Sequence, residues 1–278
     1  MTGTWWRVTI ACDPDQSDAI AAALVAATGN GVEEPAVGTV CTTVDSEAGA
    51  IGLLRDLVEQ FRHVQGAIVA TDPVDWSTRW RDGIVTRTFG RLVLTPSWLP
   101  VQPIDAQVVV SIDPESAFGS GEHGSTRGAL TLLERHLRRG HRMLDLGSGS
   151  GILAIAAAKL GGRSAIGIEV DEESMPIAEE NARKNGVAGA VTFLWGDARD
   201  LAPLAGPADL ICANILRSVN TILMPSILEA LAPTGTAIFA GMEEIEEALF
   251  RPVLAAHGLD AIDDVRDAGW WSVAVQRR

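Results

Sequence analysis

Nine residues, Met143-Leu-Asp-Leu-Gly-Ser-Gly-Ser-Gly151, constrain this chain more than any others. An apolar strand runs into a glycine-rich turn, and Ile152 to Leu160 read as the helix behind it. Asp145 stands just before the first glycine, and Glu169 closes the next apolar strand, Ser164 to Ile168. Strand, glycine turn, helix and a second strand ending in an acid form the first β-α-β unit of a doubly wound sheet. Such sheets take adenosine-containing ligands at their strand ends.

The spacing narrows the ligand. Dinucleotide turns favour G-x-G-x-x-G, whereas the glycines here are 147, 149 and 151, and Ile152 occupies the place of the last one. A pyrophosphate also needs a helix N-terminus free of competing negative charge. Asp145 beside the turn suits a cationic ligand instead, which favours S-adenosylmethionine over a nicotinamide dinucleotide. Gly147 and Gly149 would let the backbone approach it. Glu169 would accept charge-assisted hydrogen bonds from both ribose hydroxyls.

At 278 residues the chain is long enough for two domains, and 47% of it is apolar. No apolar run approaches the roughly 20 residues of a membrane span. The N-terminal residues lack the form of a signal peptide, and the three cysteines are scattered without metal-type spacing. A cytoplasmic protein with no metal site and no membrane partner is expected. The net charge of −14 disfavours direct nucleic-acid binding and would attract a basic polypeptide.

The first seventy residues alternate strand and helix signals. They read as strand Trp5–Ala11, helix Pro14–Ala27, strand Val37–Val44, helix Ala48–Phe61 and strand Ala67–Ala70. The order suits a small α/β domain over 1–72, ferredoxin-like if Gly31–Val44 contains two strands. It holds no catalytic constellation, so recognition of a substrate is its expected task. Residues 73–106 read as a linker: a short helix with Trp76 and Trp80 on one face, then an extended connection marked by Pro96, Pro100 and Pro103. From 107 to 278 the alternation becomes regular, with Val108–Ile112 as a first strand and seven more after it. These give a Rossmann-like sheet of seven strands ending in a hairpin.

Three further segments fall at the ligand edge of that sheet. Asp113–Thr126 is a long loop rich in glycine and hydroxyls that carries Phe118, Gly119 and His123, while Ser125 or Thr126 is a candidate cap for the next helix. Trp195-Gly-Asp-Ala198 ends a strand where Asp197 could accept from an adenine amino group, or could simply close a turn. Cys212-Ala-Asn-Ile215 ends the next strand, and the Asn214 amide oxygen there could receive a hydrogen bond from an attacking amine. Ile215 and Leu216 follow Asn214 where base-methylating enzymes begin a Pro-Pro-aromatic run, and the missing prolines and ring argue against a nucleobase acceptor. No side chain is a clear general base.

Taken together, Phe118-Gly-Ser-Gly-Glu-His123, Leu144 to Ala154, Gly167-Ile-Glu169 and Ala213-Asn-Ile-Leu216 resemble the PrmA family, methyltransferases of large-subunit ribosomal protein eleven. The resemblance extends to Asp75-Trp, Trp80, Thr95-Pro-Ser-Trp98 and Gly269-Trp-Trp. It implies a class I methyltransferase domain joined by a linker to a domain that recognises the ribosomal protein. It also implies cofactor contacts at Thr126, Gly147, Glu169 and Asn214, with Phe118 and His123 as further loop contacts. Gly124 and Ser125 replace the family's Pro-Thr pair, Ser120 replaces a threonine, and Glu169 replaces an aspartate while keeping the carboxylate. The expected reaction is methyl transfer from S-adenosylmethionine to lysine or N-terminal amines of that ribosomal protein. The alternative is a methyltransferase of the same fold acting on another protein or a small molecule.

Overall fold

The computed structural model describes residues 5–71, 84–113 and 119–278. The expected linker helix around Trp76 and Trp80, and Phe118, lie outside the described residues. The chain divides into two compact units, Met1–Asp82 and Gly83–Arg278.

The first unit orders β1 (Trp5–Ala11), α1 (Ser17–Thr28), β2 (Glu33–Ala36), β3 (Thr39–Val44), α2 (Glu47–Gln60) and β4 (Gln65–Thr71). Its antiparallel sheet runs β2-β3-β1-β4, which is the ferredoxin-like arrangement. Gly31–Val44 thus contains two strands: the one read over Val37–Val44 is β3, and β2 precedes it in a hairpin. Gly38, at φ +74°, makes the reversal, and a Cβ there would lie 2.6 Å from the Cys12 carbonyl oxygen. Val8, Ile10, Ile20, Leu24, Val40 and Leu57 form the core.

The second unit opens earlier than the sequence suggested. β5 (Arg87–Phe89) and β6 (Leu92–Thr95) pair antiparallel, and β6 lies parallel to β7 (Val108–Ser111) in a separate three-stranded sheet. All four residues of β6 are buried. Residues 87–95 therefore belong with the larger unit and not with a linker, and Val108–Ser111 is no part of the main sheet. The prolines at 96, 100 and 103 mark only the irregular connection between β6 and β7.

The main sheet has seven strands: β8 (Arg142–Leu146), β9 (Ser164–Glu169), β10 (Val191–Trp195), β11 (Ala208–Asn214), β12 (Leu231–Glu243), β13 (Leu259–Asp267) and β14 (Trp270–Arg277). Their spatial order is β10-β9-β8-β11-β12-β14-β13, and all run in one direction except β14, which is antiparallel to both its neighbours. The helices are α3 (Gly124–His136), α4 (Ile152–Lys159), α5 (Ser174–Lys184), α6 (Ala198–Ala205), α7 (Arg217–Ala230) and α8 (Glu247–Ala256). Strand residues alternate between two cores. Met143, Leu210 and Cys212 join α3, α4 and α5, while Leu144, Leu146, Ile211 and Ala213 join α6, α7 and α8. Strand order reverses between β8 and β11, so a crevice opens at their carboxyl ends. Among the described residues no helix is long and apolar enough to cross a membrane.

Candidate active site

A cleft of about 720 Å³ sits at that crevice, and its wall includes Gly147, Gly149, Glu169, Asp197, Asn214 and His123. Six residues singled out in the sequence are thus brought to one place. The glycine turn that floors the cleft needs its glycines twice over. Gly147, Gly149 and Gly151 all have positive φ. A Cβ on Gly147 would lie 2.5 Å from Ile215 Cγ2, and one on Gly151 would lie 2.7 Å from Phe193 Cζ. The turn is anchored where Gly147 N and Ser148 N donate to the Ile168 carbonyl, at 2.8 and 3.2 Å.

Glu169 ends β9 on the cleft wall. Its Oε2 accepts from Gly149 N at 2.8 Å, and its Oε1 accepts from Val170 N and Asp171 N at 2.8 and 3.0 Å. The longer side chain thus folds back onto the turn and stands as a fixed carboxylate beside it. Asp197 caps α6 by accepting from Arg199 N at 2.8 Å and pairs with the Arg199 guanidinium, which holds its carboxyl below the usual range. Turn closure and a place on the wall coexist in this residue. Trp195 reaches across from β10, donating from Nε1 to the Val170 carbonyl at 3.1 Å.

Asp145 departs from expectation. It is fully buried beneath the turn rather than on the cleft wall, and its Oδ2 accepts from Ala154 N at 3.1 Å. Burial raises its pKa to about 8, and the neighbouring Glu169 charge adds to the rise. Holding its proton up to pH about 8, it offers a bound cation no charge at neutral pH, so the cationic preference read from it in the sequence is not carried by Asp145.

At the other end of the cleft, Asn214 closes β11. Its Nδ2 donates to Thr126 Oγ1 at 3.2 Å, and its buried Oδ1 has no hydrogen-bond partner among the described residues. Thr126 is completely buried, so it orients Asn214 from behind and does not line the cleft. Neither Ser125 nor Thr126 caps α3. The helix starts after His123 without a side-chain cap, and Ser125 Oγ instead meets His123 Nδ1 at 2.7 Å. Desolvation, then the Arg127 charge, lowers the His123 pKa, so the imidazole is neutral at pH 7.

The loop that brings these groups in is tied at several points. Asn181 Oδ1 accepts from Asp113 N at 3.2 Å, and its Nδ2 donates to the Asp113 and Ser150 carbonyls at 3.2 and 3.0 Å. Ser150 Oγ donates to the Gly119 carbonyl at 2.8 Å, which places Gly119 against the glycine turn but behind the wall. Glu122 holds the Arg87 guanidinium and accepts from Val85 N at 3.1 Å.

Trp270 and Gly241 complete the wall and were not legible as site residues. The β13–β14 turn has positive φ at both Ala268 and Gly269, the tight-hairpin geometry that matches strand twist. It sets the Trp270 ring 4.2 Å from that of His123. Arg127 fixes the turn by a bidentate pair with Asp267 at 2.6 and 2.7 Å. Gly124 makes room, because a Cβ there would lie 2.4 Å from the Asp267 carbonyl oxygen and 2.8 Å from Trp270 Cδ1.

The family described as Ribosomal protein L11 methyltransferase (PrmA) matches residues 40–278. The ribosomal protein L11 methyltransferase of Thermus thermophilus is 38% identical over 203 residues, which is 73% of this chain and 78% of that one. The protein of the same description from Geobacter metallireducens is 30% identical over 97% of both chains. The crystal structure of a ribosomal protein L11 methylase from Lactobacillus delbrueckii subsp. bulgaricus superposes with a TM-score of 0.62. It is 32% identical and covers 69% of this chain and 98% of its own.

Proposed function

The chain belongs to the ribosomal protein L11 methyltransferase family, and on that premise we propose how its cleft methylates amine nitrogens of ribosomal protein L11. It is an S-adenosylmethionine-dependent N-methyltransferase. The observation that carries the reading is the Asn214 carboxamide, whose oxygen is the one buried side-chain atom without a partner among the described residues that line the cleft.

The residues fit S-adenosylmethionine. The Glu169 carboxylate, held by three backbone N–H groups, would accept from the ribose hydroxyls. Val170 and Ala198 offer apolar faces to the adenine, and Asp197 would receive its amino group in competition with Arg199. Gly147 and Gly149 would admit the backbone of the turn to the ligand's amino-acid part. The bound cofactor supplies a methyl group already activated by positive sulfur. What remains for the protein is to bind, orient and present a neutral amine.

A lysine side chain costs about 4–5 kcal/mol to deprotonate at pH 7 from its reference pKa of roughly 10.4. Desolvation in the cleft lowers that cost. Asn214 Oδ1 accepts an N–H of the amine and so aims its lone pair. Both wall carboxylates are engaged with donors of their own, and the proton leaves to water. The ferredoxin-like unit recognises the acceptor protein.

Incubation with labelled S-adenosylmethionine and purified L11, followed by mass spectrometry, tests the proposal. Methyl groups on L11 amines are expected. Label on another protein or a small molecule, with none on L11, would move the assignment to a different acceptor.

A further inference from the structure

Asn220 lies in the first turn of α7 and is completely buried. Its Nδ2 donates to two main-chain carbonyls, that of Ile215 at 3.0 Å and that of Ala240 at 3.1 Å. Its Oδ1 has no partner among the described residues. The two carbonyls fix the direction of the carboxamide, because the reverse placement would set oxygen against oxygen.

The two acceptors are not arbitrary. Ile215 is the residue after Asn214, and Ala240 is the residue paired with Asn214 across the β11–β12 ladder. Asn220 therefore ties Asn214 to its successor and to its cross-strand neighbour at once. The Ile215 main chain has no slack on its other sides. A Cβ on Gly241, which sits at φ +81°, would lie 2.3 Å from the Ile215 carbonyl oxygen, and Gly147 backs onto the Ile215 side chain. A buried amide with an orphan oxygen is a net cost to folding. A leucine in this helix would remove the orphan oxygen but would leave the Ile215 and Ala240 carbonyls without this donor. What asparagine adds is a fixed direction for the peptide that carries Asn214.

We propose that Asn220 is a positioning residue that sets the angle at which the Asn214 carboxamide oxygen meets the acceptor amine. This rests on the role proposed above for Asn214.

The test uses Asn220→Leu and Asn220→Asp, both with as many side-chain heavy atoms as asparagine and both without the Nδ2 donor. Calorimetry compares S-adenosylhomocysteine with sinefungin, whose amino group stands where the methyl leaves. No acceptor protein is involved, so the outcome is independent of whether L11 is the substrate. Expected are S-adenosylhomocysteine affinities within about twofold of the unsubstituted protein and a loss of about tenfold in the preference for sinefungin, one hydrogen bond's worth. Asn220→Leu should stay folded with a melting temperature lower by several degrees, because two buried carbonyls lose a donor. An unchanged preference in both variants would overturn the proposal. So would unfolding of both, or an equal loss of affinity for both ligands, since Asn220 would then hold the fold and not the carboxamide. Turnover of L11 by the unsubstituted protein separately decides the function.

Discussion

The two ends of the cleft satisfy their polar groups in opposite ways. At the adenosine end the wall carboxylates of Glu169 and Asp197 are saturated by backbone N–H groups and a guanidinium. At the transfer end the wall oxygen of Asn214 is buried with no partner among the described residues, while the orphan atoms of Asp145, Ser148 and Asn220 lie behind the wall. Unsatisfied buried acceptors are rare in folded proteins and cost free energy. A binding surface can be finished in advance, whereas a surface meant for a transient amine must be left short of a donor. The contrast predicts that substitutions at the two ends separate affinity from turnover.

The largest effect falls on Asn214→Ala. Turnover should drop about 10²-fold, the order of loss when a positioned catalytic hydrogen bond is removed. Cofactor affinity should stay within about threefold, because the Thr126 contact is not part of the adenosine end. Full turnover with normal cofactor binding would break the comparison.

Glu169→Gln should give the reverse pattern. Charge-assisted bonds to the ribose weaken, and cofactor affinity falls about tenfold or more. Rate at saturating cofactor should change little, and steady-state kinetics at varied cofactor would check both numbers.

Asp145 separates the turn's stability from its ligand. Its folded pKa is raised to about 8, while the unfolded value stays near the ordinary carboxylate range. Between those two values the folded state binds the extra proton, so stability declines as pH rises through the window and levels off above about 8. Asp145→Asn cannot ionise and escapes this decline. Its stability from denaturant unfolding should gain on that of the unsubstituted protein steadily from pH 5 to pH 8, reaching on the order of a few kcal/mol. A difference that stays flat with pH would show that Asp145 is ionised in the fold.

The smallest effect is at the rim. Gly124→Ala places a methyl against the Asp267 carbonyl and the Trp270 ring. The hairpin must shift, at a cost of about 1–3 kcal/mol. A melting temperature lower by several degrees is expected, with cofactor affinity retained.

The adenosine end was legible in the sequence because its information is local. A strand, three glycines and an acid one strand later are contiguous signals, and both β9 and Glu169 fall where periodicity puts them. Asp145 was misread although the same rule covers it. A period of two puts Asp145 on the face opposite Leu144 and Leu146, together with Met143 and Cys212, hence beneath α4. The unit boundary was misplaced because three prolines look like a linker whether or not the strands on either side pair. Gly241 and Asn220 had no local signal at all, and Trp270 entered only through the resemblance carried by Gly269-Trp-Trp. They matter through turns that converge from distant parts of the chain, which spacing does not encode.

The hairpin that carries Trp270 has a consequence for synthesis. β14 is inserted between β12 and β13, although it follows both in the chain. On a translating ribosome β13 emerges with no strand to pair with, and only the last strand gives it a neighbour. The His123–Trp270 wall is consequently the last part of the cleft to be synthesised, and the sheet edge behind it is complete only when β14 pairs with both β12 and β13.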